Sequence, residues 1–169
     1  MNTALRTTAL CLALAFSALD SRAEDFDLIT AAEAQAEAKV AATAPPETRT
    51  RSLPVPKPGQ PAIKVVTPNN TPSSAVNAPV RIEVSFKAAS GNRIVPSTFR
   101  VLYGLMKIDL TDRLKKHATV TETGVVIDQA KVPAGQHRLI LQVADDQGNT
   151  AEQELRLRVE QCAYFVGAG

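Results

Sequence analysis

Only two imidazoles occur in this chain, His117 and His137, and neither lies beside an obvious nucleophile. General-base catalysis needs the base within hydrogen-bond reach of the proton it removes, and no Gly-x-Ser-x-Gly turn or comparable hydrolytic motif is present. Asp109 and Asp112 stand three residues apart next to Arg113. That spacing fits helix-start capping and a surface ion pair better than a catalytic carboxylate pair. The inventory points to a protein that is not an enzyme and needs no cofactor.

Metal chemistry meets a similar constraint. A blue-copper centre takes two His, a Cys and usually a Met, with the late ligands on one loop. Here Cys162 is followed by Ala163-Tyr164-Phe165-Val166-Gly167, with no His or Met. A hard cation is the better alternative, because Asp145, Asp146 and Asn149 put oxygen atoms on one loop. Calcium takes about six to eight oxygens, however, and one loop offers three side chains. Asp, Gly and Asn are also what a tight hairpin turn requires. Turn chemistry is the expected role, with calcium at Asp145, Asp146 and Asn149 as the alternative.

Two groups of residues are candidates for binding. Lys115, Lys116 and His117, with Arg113 close by, form a small basic cluster suited to an anionic glycan or headgroup, or to a solvated face. Tyr164 and Phe165 lie in an apolar tail suited to docking or strand addition, and Cys162 could join two copies. The net charge is +2, or +1 after residue 23 with 17 basic against 16 acidic side chains, which argues against a nucleic-acid binder.

The elements that must position these groups fall into four parts. Arg6 precedes the uncharged run Thr7–Leu19, and Ser21-Arg22-Ala23 supplies small residues at a signal-peptidase site. Residues 1–23 therefore read as a signal peptide that delivers the chain to the periplasm or beyond. Cleavage there would leave Cys162 as the one thiol and no transmembrane segment. Cys11 lacks the Leu-Ala-Gly context of a lipidation site. Residues 24–60 read as an Ala-rich, then Pro-rich flexible linker. Thr30 and Glu33 have capping-box spacing ahead of Ala31–Ala42, but that run has no apolar stripe, and a frayed helix packing on nothing is expected. Eight of the 11 prolines fall between Pro45 and Pro72, and Leu53-Pro54-Val55-Pro56-Lys57-Pro58 favours extended polyproline.

Beyond Pro61 the apolar period becomes two. Ile63–Val66 reads as a first strand. Val80, Ile82, Val84 and Phe86 alternate with Arg81, Glu83 and Ser85. Pro96-Ser97-Thr98 suggests a helical turn before Phe99, Val101 and Tyr103; Met106–Leu110 suggests a strand, and Thr111–Lys116 a helical turn. Gly124–Ile127 follows as a strand in this pattern. In the last third His137, Leu139, Leu141 and Val143 share one parity, as do Ala151, Leu155, Leu157 and Val159. Short strands joined by turns predict an all-β antiparallel sandwich over residues 61–160, with 161–169 as a tail.

The run from Pro133-Ala134-Gly135-Gln136-His137 through Leu139-Ile140-Leu141-Gln142-Val143-Ala144-Asp145, then Gly148-Asn149, resembles the closing hairpin of bacterial immunoglobulin-like domains. The resemblance covers residues 61–160 and implies an immunoglobulin-like β-sandwich. It also implies a structural role for His137, at a position that often holds a Tyr bonded back to the preceding corner. Periplasmic copper-resistance sandwiches share the outline, but their N-terminal His and late Asp-x-His are replaced by Glu24 and Asp145-Asp146-Gln147. The superfold serves many functions. The expected one is an exported protein-binding or spacer module with a cell-envelope protein as partner, and the alternative is a calcium-binding or anionic-glycan-binding domain.

Overall fold

Alternation of apolar and polar residues becomes two facing sheets. The computed structural model describes residues 26–45, 58–69 and 75–160. In chain order these form β1 (Phe26–Asp27), α1 (Ala31–Thr43), β2 (Ala62–Thr67), β3 (Ala75–Asn77), β4 (Val80–Lys87) and β5 (Ile94–Tyr103). Then come β6 (Ile108–Asp109), α2 (Thr111–Lys115), β7 (Gly124–Lys131), β8 (Gly135–Asp145) and β9 (Thr150–Glu160). One sheet has the order β1-β7-β4-β2, and the other has the order β3-β9-β8-β5-β6. The predicted immunoglobulin-like sandwich is the observed architecture.

The inward parity follows the sequence. Val80, Ile82, Val84 and Phe86 of one sheet are buried against Phe99, Val101, Tyr103, Leu139, Leu141, Leu155 and Leu157 of the other. Phe86 and Phe99 join the layers with ring centroids 5.4 Å apart. Each such side chain contributes about 1.5–3 kcal/mol by leaving water. The start of α2 is tied to β5 by buried bonds: the Val101 N–H donates to Thr111 Oγ1 at 3.0 Å, and the Leu110 N–H donates to the Val101 carbonyl at 2.9 Å.

Three local expectations are corrected. Pro96–Thr98 forms no helical turn but an irregular stretch inside β5, where the pairing with β8 slips between Val95 and Arg100. Thr98 Oγ1 fills the gap, accepting from the Ala144 N–H at 2.9 Å and donating to the Val95 carbonyl at 2.6 Å. Met106–Leu110 gives only the two-residue β6, because Gly104 and Lys107 take positive φ in the preceding turn. The third correction concerns the N-terminal region.

Residues 26–44 belong to the sandwich rather than to a free linker. β1 pairs in parallel with β7, and Phe26, Leu28 and Ile29 join the core at 6%, 0% and 1% exposure. The Leu28 N–H donates to the Lys131 carbonyl at 3.0 Å. The predicted capping box of Thr30 and Glu33 is present, and α1 follows it. The helix is docked, not frayed, for a reason other than amphipathicity. The proposed signal peptide at 1–23, most of the Pro-rich stretch, and the tail with Cys162, Tyr164 and Phe165 lie outside the described residues.

Candidate functional site

His137 sits at the start of β8 with both ring nitrogens engaged. Its Nε2–H donates to the Pro133 carbonyl at 2.7 Å, and its Nδ1 accepts from the Tyr103 hydroxyl at 3.0 Å. The turn Val132–Gly135 brings the Pro133 carbonyl back over the ring. The register pairing of Tyr103 with Leu139 places the phenol alongside. Burial holds the His137 pKa below its ordinary value, against the upward pull of the Pro133 bond. Burial, with the charges of Glu37 and Glu33, pushes the Tyr103 phenol up to about 12. A neutral imidazole with both nitrogens spent is a structural post, the role the resemblance implied.

Two glutamates four residues apart seat α1 on the sandwich. Glu33 makes a two-pronged pair with Arg113 at 2.9 and 3.0 Å, and Arg113 also donates to the Leu28 carbonyl at 2.8 Å. The hydrogen bond from Arg113, with those from Thr30, brings Glu33 down to about 2 despite partial burial. Arg113 therefore pairs with Glu33, not with the neighbouring aspartates. Asp109 instead accepts from the Thr111 N–H at 2.8 Å, one residue ahead of Leu110, the N-cap position of α2, which has no side-chain cap. One turn on, Glu37 Oε1 accepts from the Leu105 N–H at 2.7 Å, and its Oε2 is buried with no hydrogen-bond partner.

Between α1 and the outward side of β8 and β9 lies a cleft of about 430 Å³. Ala34, Ala38 and Ala41 form one wall, and Arg138, Arg156 and Arg158 line the other. Each of these cations has a carboxylate beside it: Arg138 and Arg156 share Glu154, and Arg158 lies 3.5 Å from Glu160. Burial raises the Glu154 pKa, but the Arg156 and Arg138 hydrogen bonds outweigh it and hold the carboxyl below its usual range.

The residues singled out from sequence are distributed as follows. Lys115, Lys116 and His117 stand exposed together at the C-terminal end of α2. Lys115 Nζ donates to the Ser97 carbonyl at 3.4 Å, and the His117 ring stacks on Phe26 with centroids 4.1 Å apart. Asp145 and Asn149 meet at the β8–β9 turn. There the Asp145 carboxylate accepts from the backbone N–H groups of Gln147 and Asn149 and from the side-chain amides of Asn92 and Asn149, at 2.7 to 3.1 Å. Burial opposes ionisation of Asp145, but these bonds prevail and lower its pKa. Asp146 Oδ1 accepts from the Arg93 N–H at 3.2 Å. Among the described residues no group of three or more His, Cys, Asp or Glu is arranged to hold a metal ion. No helix among them is long and apolar enough to cross a membrane.

The sequence reading missed Glu37, Gly104 and the Arg138–Glu154–Arg156 cluster. The available signals were the i,i+4 pair Glu33/Glu37 and the apolar island Phe26-x-Leu28-Ile29 ahead of the helix.

No family model and no curated protein matches the chain. Among solved structures it is similar to CopC from Methylosinus trichosporium OB3b, at 14% identity over 60% of this chain and 96% of that one, with a TM-score of 0.42. An engineered protein matches at 12% identity over 62% of this chain and 21% of that one, TM-score 0.39. Fibronectin(III)-like modules of Clostridium thermocellum CbhA match at 14% identity over 60% of this chain, which spans 47% of theirs, TM-score 0.39. The strand order of the two facing sheets defines the molecule as an immunoglobulin-like β-sandwich.

Proposed function

We propose that this chain is an exported, non-enzymatic module that binds a protein partner of the cell envelope. The supporting observation is how its reactive groups are used. His137 is held between Tyr103 and Pro133, Asp145 closes a turn, and Glu33 fastens a helix. Each perturbed pKa above has a structural cause, which leaves recognition by surface as the remaining activity. The signal-like residues 1–23 support export, and the exposed Lys115-Lys116-His117 turn is the contact we assign to an anionic partner surface. The apolar Tyr164-Phe165 tail is a second contact, with Cys162 available for a dimer.

Proximity labelling in the periplasm tests this reading with the full chain, a Lys115→Glu/Lys116→Glu variant, and a chain ending at Glu160. The expected result is a defined neighbour protein whose labelling drops in at least one variant. Identical neighbour sets in all three would remove both assigned contacts.

A further inference from the structure

The cleft between α1 and the outward side of β8 and β9 carries two features that the docking of the helix leaves unexplained. One is Glu37. It lines the cleft and is 8% exposed, yet its Oε2 accepts no hydrogen bond while Oε1 holds the Leu105 N–H. Buried polar atoms without a partner are few in folded proteins, because each gives up its bonds to water and gains none in return. A donor brought to this wall would complete the carboxylate.

The other is the facing wall. Arg138 stands directly opposite Arg156 in the β8–β9 register, and Arg158 takes the next outward position along β9. The Arg156 and Arg158 side chains are 55% and 54% exposed. Arg158 has Glu160 at 3.5 Å, a pair of half-exposed groups that water screens well. Like charges directly across a strand pair disfavour the sheet, and an anion set against them relieves it. A guanidinium offers a planar fork of donors that matches a carboxylate.

Apolar surface accompanies both features. Ala34, Ala38 and Ala41 of α1 line the cleft with Leu105, and Met106, 48% exposed, follows Leu105 in the same turn. At about 430 Å³ the cleft falls within the span of small-ligand pockets, about 300–1,000 Å³. Inorganic phosphate would use the arginines and leave the alanines and Glu37 unmet. A fatty acid would use the arginines and the alanines but bring no donor to Glu37. A peptide with a free C-terminus brings a carboxylate, an apolar side chain and backbone N–H groups together.

We propose that this cleft binds the C-terminal end of a peptide. The terminal carboxylate lies on Arg158 and Arg156, the last side chain rests on the alanines of α1, and a backbone N–H meets Glu37 Oε2. The last torsion of a glutamate is broad and nearly two-fold, so Oε2 turns to that donor while Oε1 keeps Leu105. The proposal rests on the reading of the chain as a protein-binding module. It adds a site that shares no residue with the Lys115-Lys116-His117 turn.

Methyl NMR of the full chain, titrated with N-acetyl-Ala-Ala-Val and with its C-terminal amide, tests this. The acid should shift the Ala38, Ala41 and Leu105 methyls saturably, and the amide should bind about tenfold more weakly or worse. Arg158→Ala should weaken the acid by a similar factor while its melting curve stays that of the parent chain. Decanoate, a carboxylate on an apolar chain without N–H groups, should bind more weakly than the peptide. No shift at these methyls, or equal binding of acid and amide, overturns the proposal. So does decanoate binding as tightly as the peptide, which would make the cleft a fatty-acid site. Methyl shifts produced without peptide also overturn it: by ending the chain at Glu160, they would assign the cleft to the chain's own tail, and by dilution, to a second copy. A loss of labelling in the Lys115→Glu/Lys116→Glu variant without peptide binding here would remove this site alone and keep the protein-binding reading.

Discussion

The Glu37 carboxylate rests directly against the Cα of Gly104, in space that a Cβ would occupy. Gly104 also has φ +69°, a left-handed conformation that side chains disfavour. The contact lets the carboxylate reach the Leu105 N–H, and Glu37 is the only buried residue of α1. A helix of alanines with little apolar surface is thus held at one end by an ion pair and in the middle by a hydrogen bond that needs a glycine. Gly104→Ala should displace Glu37 and destabilise the fold by about 1–3 kcal/mol, combining backbone strain with the lost bond. Urea unfolding measures the loss, and limited proteolysis within 31–44 locates it. An unchanged unfolding curve would remove Glu37 as the seat of α1.

The Glu33–Arg113 pair makes the same helix acid-sensitive. Glu33 titrates at about 2 in the fold against 4.5 for the unperturbed group. Below 4.5 the unfolded chain takes up a proton that the folded chain refuses, so this stabilisation is complete above 4.5 and is lost as pH falls towards 2. Arg113→Ala should cost about 2 kcal/mol at neutral pH, since it removes hydrogen bonds to a charged group and to the Leu28 carbonyl. It should also flatten the acid limb of the stability profile. Unfolding of both proteins across pH 5 to 2 checks this, and parallel acid limbs would mean that Glu33 is not the titrating group.

His137 acts in a higher window. Its folded pKa lies below the ordinary 6.5, so the unfolded state binds protons more readily. The stability it contributes is complete above 6.5 and declines as pH falls below that value, until the folded ring itself titrates. His137→Gln keeps an amide near Tyr103 and Pro133 but cannot titrate. The expected outcome is a variant less stable above pH 6.5 whose stability no longer falls as pH drops below 6.5. NMR titration of the wild-type imidazole is the independent check, and a pKa at or above 6.5 would contradict it.

The sandwich was legible because its core is written in period two. Val80-x-Ile82-x-Val84-x-Phe86 and Leu139-x-Leu141-x-Val143 have no second face on which they could be satisfied. The His137 role was legible from the resemblance to immunoglobulin-like domains, with which its parity with Leu139 and Leu141 agrees. What escaped was docking by charge. Hydrophobic patterning cannot register α1, because Glu33 finds Arg113 80 residues away and Glu37 finds Leu105 68 residues away. Long-range partners of this kind leave no local periodicity. Pro96–Thr98 misled for the opposite reason: a proline followed by hydroxyls is a good helix start in isolation, and only pairing with Ala144 draws it into a strand.

The β8–β9 turn separates a cation site from turn chemistry. Both oxygens of Asp145 already accept hydrogen bonds, Oδ1 from the Gln147 and Asn149 backbones and Oδ2 from the Asn92 and Asn149 amides. A calcium ion would have to break these bonds and still gather further oxygens from solvent. Millimolar calcium should therefore leave the melting temperature unchanged, whereas any ligand that binds only the folded state raises it in proportion to its saturation. Asp145→Ala should lower the melting temperature with or without calcium, because four donors lose their acceptor together. Asp145→Asn is the sharper probe. It keeps one carbonyl oxygen for the Gln147 and Asn149 N–H groups but turns an amide towards Asn92, so its melting temperature should fall between wild type and the alanine variant. A calcium-dependent rise in wild type that vanishes in both variants would instead establish Asp145 as a cation ligand and reassign the turn.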